Sequence, residues 1–133
     1  MKYFTIEELC RSAQAEKRGI DNSASQEVQE RLVALVDCVL DPLRDAWGKP
    51  IIVNSGYRCS MLNTIVGGRR NSQHLRGEAA DITTGTREGN RWIFDYIKNN
   101  LPYDQLIDEY DYRWVHVSYR SDGGNRQQVL RER

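Results

Sequence analysis

Apolar residues spaced three and four apart dominate the first third of the chain, and short β-branched or alternating runs dominate the rest. Val28, Leu32, Leu35, Val36, Val39, Leu40 and Leu43 recur at helical spacing as far as Trp47. That pattern predicts one long core helix, stopped by Gly48-Lys49-Pro50. Ahead of it, Thr5-Ile6-Glu7-Glu8 has the form of a capping box and predicts a helix to about Lys17, ending near Gly19. Ile51-Ile52-Val53-Asn54 predicts a buried strand, Arg58 to Asn63 a short helix, and Ala79 to Thr83 a second strand. Thr86 caps a predicted helix through Asn99, with Trp92, Ile93, Tyr96 and Ile97 inward. Gln105 to Glu109 and Trp114 to Tyr119 read as two strands joined by the tight turn Tyr110 to Arg113. The polar tail, residues 121–133, predicts a loose edge element or a disordered end.

Helices first and strands later argue for an α+β fold, with a small, mostly antiparallel sheet flanked by N-terminal helices. A length of 133 residues fits one domain, 1–133. Lys plus Arg and Asp plus Glu number 19 each, so no net field recruits nucleic acid, and Gly68-Arg69-Arg70 is too short to change that. No run approaches the roughly 20 apolar residues that span a bilayer, which predicts no membrane insertion. MKYFTIEELCRSAQ lacks the apolar core of a signal peptide, so synthesis in the cytoplasm is expected. Cys10, Cys38 and Cys59 cannot all pair within one chain, and none has CxxC or CxxH spacing. Cys10 and Cys38 read as small core residues. Nothing in the pattern calls for a second subunit, and a monomer is favoured.

The chemistry gathers around the two histidines. His74 sits in SQHLRGEAAD, residues 72–81, seven positions before Asp81, and His116 sits in RWVHVS, residues 113–118. On a strand, Trp114, His116 and Ser118 share one side. A catalytic zinc site takes three protein ligands and leaves a fourth position open, and His74, Asp81 and His116 would supply that number. Their convergence is not visible in spacing alone.

Ser72-x-His74-x-x-Gly77-x-Ala79-x-Asp81, followed by Trp114-Val115-His116, resembles the zinc D-Ala-D-Ala carboxypeptidase family. That family includes peptidoglycan-cleaving phage endolysins, and the signalling domain of Hedgehog shares its fold. Ser55-Gly56-Tyr57-Arg58 and Asn63 match its lead-in, so the motif core runs from about 51 to 118. The resemblance implies one Zn2+ per chain, held by His74, Asp81 and His116. Two imidazoles and a carboxylate leave zinc acidic enough to bring water to a pKa near ~7. Gly77 allows a tight turn, and Ala79 and Ala80 allow close packing behind the site.

Relatives carry a glutamate shortly before the final histidine, five residues after an aspartate, and Asp104-Gln-Leu-Ile-Asp-Glu109 reproduces this. Glu109 is therefore the expected general base, with Asp108 and Asp111 in reserve. Arg58 is the expected substrate-binding residue, clasping a carboxylate or an oxyanion. Ser72 is expected to bind substrate or to orient His74. Trp114 departs from the HxH pattern of several relatives; it would wall the cleft or stack in the core.

The implied activity is a zinc metallopeptidase acting on peptidoglycan stem peptides or crosslinks. A D-Ala-D-Ala carboxypeptidase, a crosslink endopeptidase and an L-Ala-D-Glu endopeptidase all fit this residue set. A phage or prophage lysis enzyme that reaches the wall through a partner pore fits the missing signal peptide. The alternative is a zinc-binding but catalytically silent wall or protein-interaction module, which would have no need of Glu109.

Overall fold

Thr5 accepts a hydrogen bond from the Glu8 N–H at 3.1 Å and opens the first helix, in the computed structural model that describes residues 1–133. The expected single helix is two. Helix α1 (Ile6–Cys10) ends at an extended Arg11, and Ser12 then caps α2 (Ala13–Arg18) by accepting from the Ala15 N–H. A serine hydroxyl competes with the helical ladder, so Ser12 starts a new helix instead of continuing the old one. Gly19 ends α2 with a left-handed φ of 65°.

The long core helix is also interrupted. It consists of α3 (Gln26–Leu35), a π-helical turn at Val36–Leu40, and α4 (Asp41–Trp47). Pro42 supplies the reason: it has no N–H to return to the preceding turn, so the ladder changes register just before it. The apolar stripe survives the change. Val28, Leu32, Leu35, Val36, Val39, Leu40 and Leu43 are all buried. Each such side chain stabilises the fold by about 1.5–3 kcal/mol, and Leu35→Ala would cost about 2–5 kcal/mol.

Five strands form one sheet in the order β1-β2-β4-β3-β5. They are β1 (Ile52–Ser55), β2 (Ala79–Thr83), β3 (Gln105–Glu109), β4 (Trp114–Ser118) and β5 (Gln128–Glu132). Helix α5 (Ser60–Ile65) lies between β1 and β2 in sequence, and α6 (Arg87–Asn100) between β2 and β3. All neighbours are antiparallel except β3 and β5. Ala80, Ile82, Leu106, Val115 and Val117 line the buried face and share a core with α3, α4 and α6. The register puts Asp81, Ile107, Glu109, Trp114 and His116 on the opposite face, which is only partly covered.

Several expectations change. The Ile51 run is not a buried strand: β1 is a sheet edge, and Ile52 is 56% exposed although Ile51 is buried. Trp92 lies outside, stacked on Tyr96 at 5.4 Å, while Ile93, Phe94 and Ile97 face the core. The short helix begins at Ser60, beyond Arg58. Of the two readings of the polar tail the edge element is the one seen: Gln128–Glu132 form β5, which pairs along all of β3. No helix is long and apolar enough to cross a membrane.

Candidate metal centre

Two strands and one turn bring the candidate ligands together. Asp81 on β2 and His116 on β4 are direct cross-strand partners, and Asp81 Oδ1 lies 2.9 Å from His116 Nδ1. His74 comes from a 3-10 turn, Gln73–Arg76, that Ser72 caps and Gly77 ends. Gly77 has a φ of 76°, and a Cβ there would meet the Val28 carbonyl and a Val28 methyl at 2.8 Å. A glycine is therefore required to seat the turn on α3 and aim His74 at the sheet.

His74 Nδ1 lies 2.6 Å from the carbonyl oxygen of Gly56. A carbonyl only accepts, so Nδ1 carries the proton and the Nε2 lone pair is free. That Nε2 is 3.4 Å from Asp81 Oδ2, and the two imidazoles meet edge to face at 5.1 Å. One donor atom from each of the three residues falls within a 4.8 Å cluster. Tetrahedral zinc with bonds of about 2.0–2.2 Å places its donors about 3.3–3.6 Å apart. The residues fit such an ion in donor type, number and spacing.

The electrostatics favour a cation. Burial opposes ionisation of Asp81, but the charges and hydrogen bonds of His74 and His116 outweigh it and hold the carboxyl well below its usual range. Arg58 is half-buried on the near side, where burial pushes its guanidinium down and the Asp81 charge partly restores it. Its Nε has no hydrogen-bond partner, and Nη2 reaches only Ser72 Oγ at 3.4 Å. Ser72 thus touches Arg58 and caps the His74 turn, whereas the His74 ring is oriented by Gly56.

Glu109 lies on the face that carries the ligands, diagonal to His116 across the β3–β4 pair. Diagonal partners sit about 7–8 Å apart at Cα, within reach of a long side chain. Burial, then the Asp81 carboxylate, pushes the Glu109 carboxyl up. The reserve residues point elsewhere. Asp108 is buried on the opposite face, accepting from the Tyr112 N–H at 2.6 Å and pairing with Arg131. Asp111 is exposed and clasped by Arg87. Asp104 is buried beneath Arg126.

Three features of the site carried no signal in the motifs. The side-chain amide of Asn22 donates to the Tyr57 carbonyl and accepts from the Cys59 N–H, so it clamps the backbone on both sides of Arg58. Tyr110, Asp111 and Tyr112 form a left-handed run with φ of 53°, 58° and 62°. Such residues cost about 1–2 kcal/mol each, and Asn90 offsets this by donating to the Tyr112 and Arg113 carbonyls. The run packs Tyr110 against Trp114 at 5.3 Å, beside Glu109, and leaves the buried Trp114 indole N–H without an acceptor.

A family model for peptidase M15 matches residues 2–118. Over 49 residues the chain is 47% identical to the zinc D-Ala-D-Ala carboxypeptidase of Streptomyces albus G. That match covers 36% of this chain and 19% of the relative, so the chain spans under a fifth of the relative's length. With the family pattern extending over nearly the whole chain and the candidate ligands assembled in space, the chain belongs to the peptidase M15 family.

Proposed function

We propose that the protein is a zinc peptidase that hydrolyses peptide bonds in peptidoglycan stem peptides or crosslinks. The carrying observation is the convergence of His74, Asp81 and His116 on one metal-sized cluster, with Arg58, whose Nε has no hydrogen-bond partner, close by. These three residues would hold the ion. Zinc, when bound, supplies Lewis acidity that polarises the scissile carbonyl and lowers the pKa of water.

The chain's own residues account for the remaining steps. Glu109 accepts a proton from the attacking water, whose oxygen bonds to the carbonyl carbon. Arg58 donates to the developing oxyanion or to a substrate carboxylate. The carbon–nitrogen bond then breaks, and Glu109 returns the proton to the leaving amine. Ser72 supports Arg58 through its hydroxyl. Gly56 keeps the His74 ring in the tautomer that leaves Nε2 free.

A silent zinc-binding module would gain nothing from a part-buried carboxylate on the face that carries the candidate ligands, and its presence there supports the enzymatic reading. We further read the protein as one domain, monomeric, made in the cytoplasm and acting on the wall in phage or prophage lysis. Incubation of the zinc-loaded protein with purified peptidoglycan, followed by mass spectrometry of released fragments, tests this and identifies the bond. A new amine at a stem or crosslink position is expected. Intact peptide chains from every wall type would overturn the peptidase reading.

A further inference from the structure

Strand β1 ends at the metal cluster and is open on its other side. Ser55 pairs with Asp81, and the next residue, Gly56, holds His74. As the terminal strand, β1 has only β2 as a partner, and no other hydrogen bond reaches the backbone of residues 52–55. Unpaired edges of this kind are usually blunted by charge, proline or a covering element. This one is not. Ile52, Val53 and Asn54 border a cavity of about 510 Å³, with Leu62 and Val66 of the α5 region on one wall and the α1–α2 junction on another.

Arg58 lines the same cavity, and its backbone N–H donates to the His74 carbonyl at 3.1 Å, so the groove ends beside the turn that carries His74. The lining combines exposed aliphatic side chains, Ile52 and Val66, with the Arg58 side chain, whose Nε is buried without a partner. The register slips between Val53 and Ser55, a bulge that leaves Asn54 without a partner on β2 and with its side chain in the cavity. Bulges beside active sites re-aim side chains in this way. An extended peptide meets these features together: its amides pair with a strand edge, its side chains contact the aliphatic wall, and its carboxylate or carbonyl reaches Arg58.

We infer that the free edge of β1 is a binding subsite for an extended peptide substrate, which adds to the sheet as a further strand and delivers its scissile bond to the metal cluster. This deepens the peptidase reading and rests on it. The four residues of β1 span about four residues of an extended partner. The site is therefore built for oligopeptides such as stem or bridge segments, and a free dipeptide leaves most of the groove empty.

The test uses the zinc-loaded protein, 15N-labelled, with a synthetic stem pentapeptide ending in D-Ala-D-Ala and, separately, free D-Ala-D-Ala. The pentapeptide is expected to slow amide exchange in residues 52–55 by about tenfold or more, and the dipeptide to leave it unchanged. Ile52→Lys, at an exposed position, is expected to weaken the pentapeptide about tenfold. Pentapeptide binding that perturbs only Arg58, His74 and His116 would overturn the inference, as would no perturbation anywhere at millimolar peptide. Wild-type affinity in both Ile52→Lys and Val66→Lys would also overturn it. The two readings fail separately. Protection of β1 without hydrolysis supports the subsite and sinks the peptidase; hydrolysis with β1 unprotected does the reverse.

Discussion

Asp81 and His116 face each other as a paired couple on two central strands, the carboxylate oxygen 2.9 Å from the ring nitrogen. Ladder hydrogen bonds, not loops, fix two of the three candidate ligands. His74→Ala and His116→Ala should therefore keep the native fold by circular dichroism while zinc falls from about one per chain to a small fraction. Ion binding should in turn stabilise the wild type, by about 4 kcal/mol at free zinc a thousand times its Kd. Asp81→Ala should abolish that gain. Zinc at the wild-type level in all three variants by elemental analysis would remove these residues as ligands.

The same sheet separates the carboxylates near the hairpin. Glu109→Gln should lower kcat by about 10²- to 10⁴-fold with zinc content unchanged, because it removes the proton carrier and no ligand. Asp111→Asn, at the exposed Arg87 pair, should leave kcat within about twofold, since surface pairs contribute little. Asp108→Asn should lower stability, through the Tyr112 N–H that it caps, more than it lowers turnover. Steady-state kinetics with stem peptides, alongside urea denaturation, distinguishes the three.

Arg58 depends on a residue that no motif flagged. Asn22 bonds to the backbone at Tyr57 and Cys59, and its amide also donates to the Cys10 carbonyl. Asn22→Ala strands those groups and should cost about 1–3 kcal/mol of stability. It should also raise KM more than it lowers kcat, because it lets Arg58 drift while the ligands and Glu109 stay in place. Asn22→Asp keeps the acceptor for the Cys59 N–H but sets a carboxylate oxygen against the Cys10 and Tyr57 carbonyls, and should be no more stable than Asn22→Ala at pH 7. A purely structural Asn22 would change stability and leave the KM of the folded fraction untouched.

What the sequence made legible follows from how local each signal is. Helical periodicity located every core residue of α3 and α4, since a 3.6-residue repeat needs no tertiary information. Alternation likewise put Gln105, Ile107 and Glu109 on one face of β3. The spacing of SQHLRGEAAD located His74 and Asp81, but their convergence with His116 depends on a strand register set by packing. Position within the sheet was equally hidden. A β-branched run reads the same at an edge as at the centre, so β1 looked buried. The tail looked loose because its pairing with β3 is made by backbone groups, to which composition is blind. Pro42 did signal the break in the core helix, and the strength of the apolar repeat masked it.

The ion pair at the start of β5 has a pH response of definite sign. Asp104 is buried, and its carboxylate accepts from the Arg126 backbone N–H, Nε and Nη2 at 2.8, 3.0 and 2.8 Å, while its carbonyl accepts from the Gln128 N–H. The Arg126 hydrogen bond holds the Asp104 carboxyl below its ordinary value of 3.8. A carboxyl with a depressed folded pKa contributes stability that is present above the unfolded value and lost as pH falls through the folded one. Arg126→Met should thus destabilise the protein by about 1–2 kcal/mol at pH 7, half the arginine being solvated. The gap from wild type should shrink as pH drops below about 4, where the unfolded chain takes up its proton first. Amide exchange in residues 128–132 should quicken in the variant before exchange in β2 or β4, since Arg126 secures only the outer strand. A wild-type-to-variant gap in urea denaturation that stays constant from pH 7 to below pH 4 would show that the pair does not hold β5.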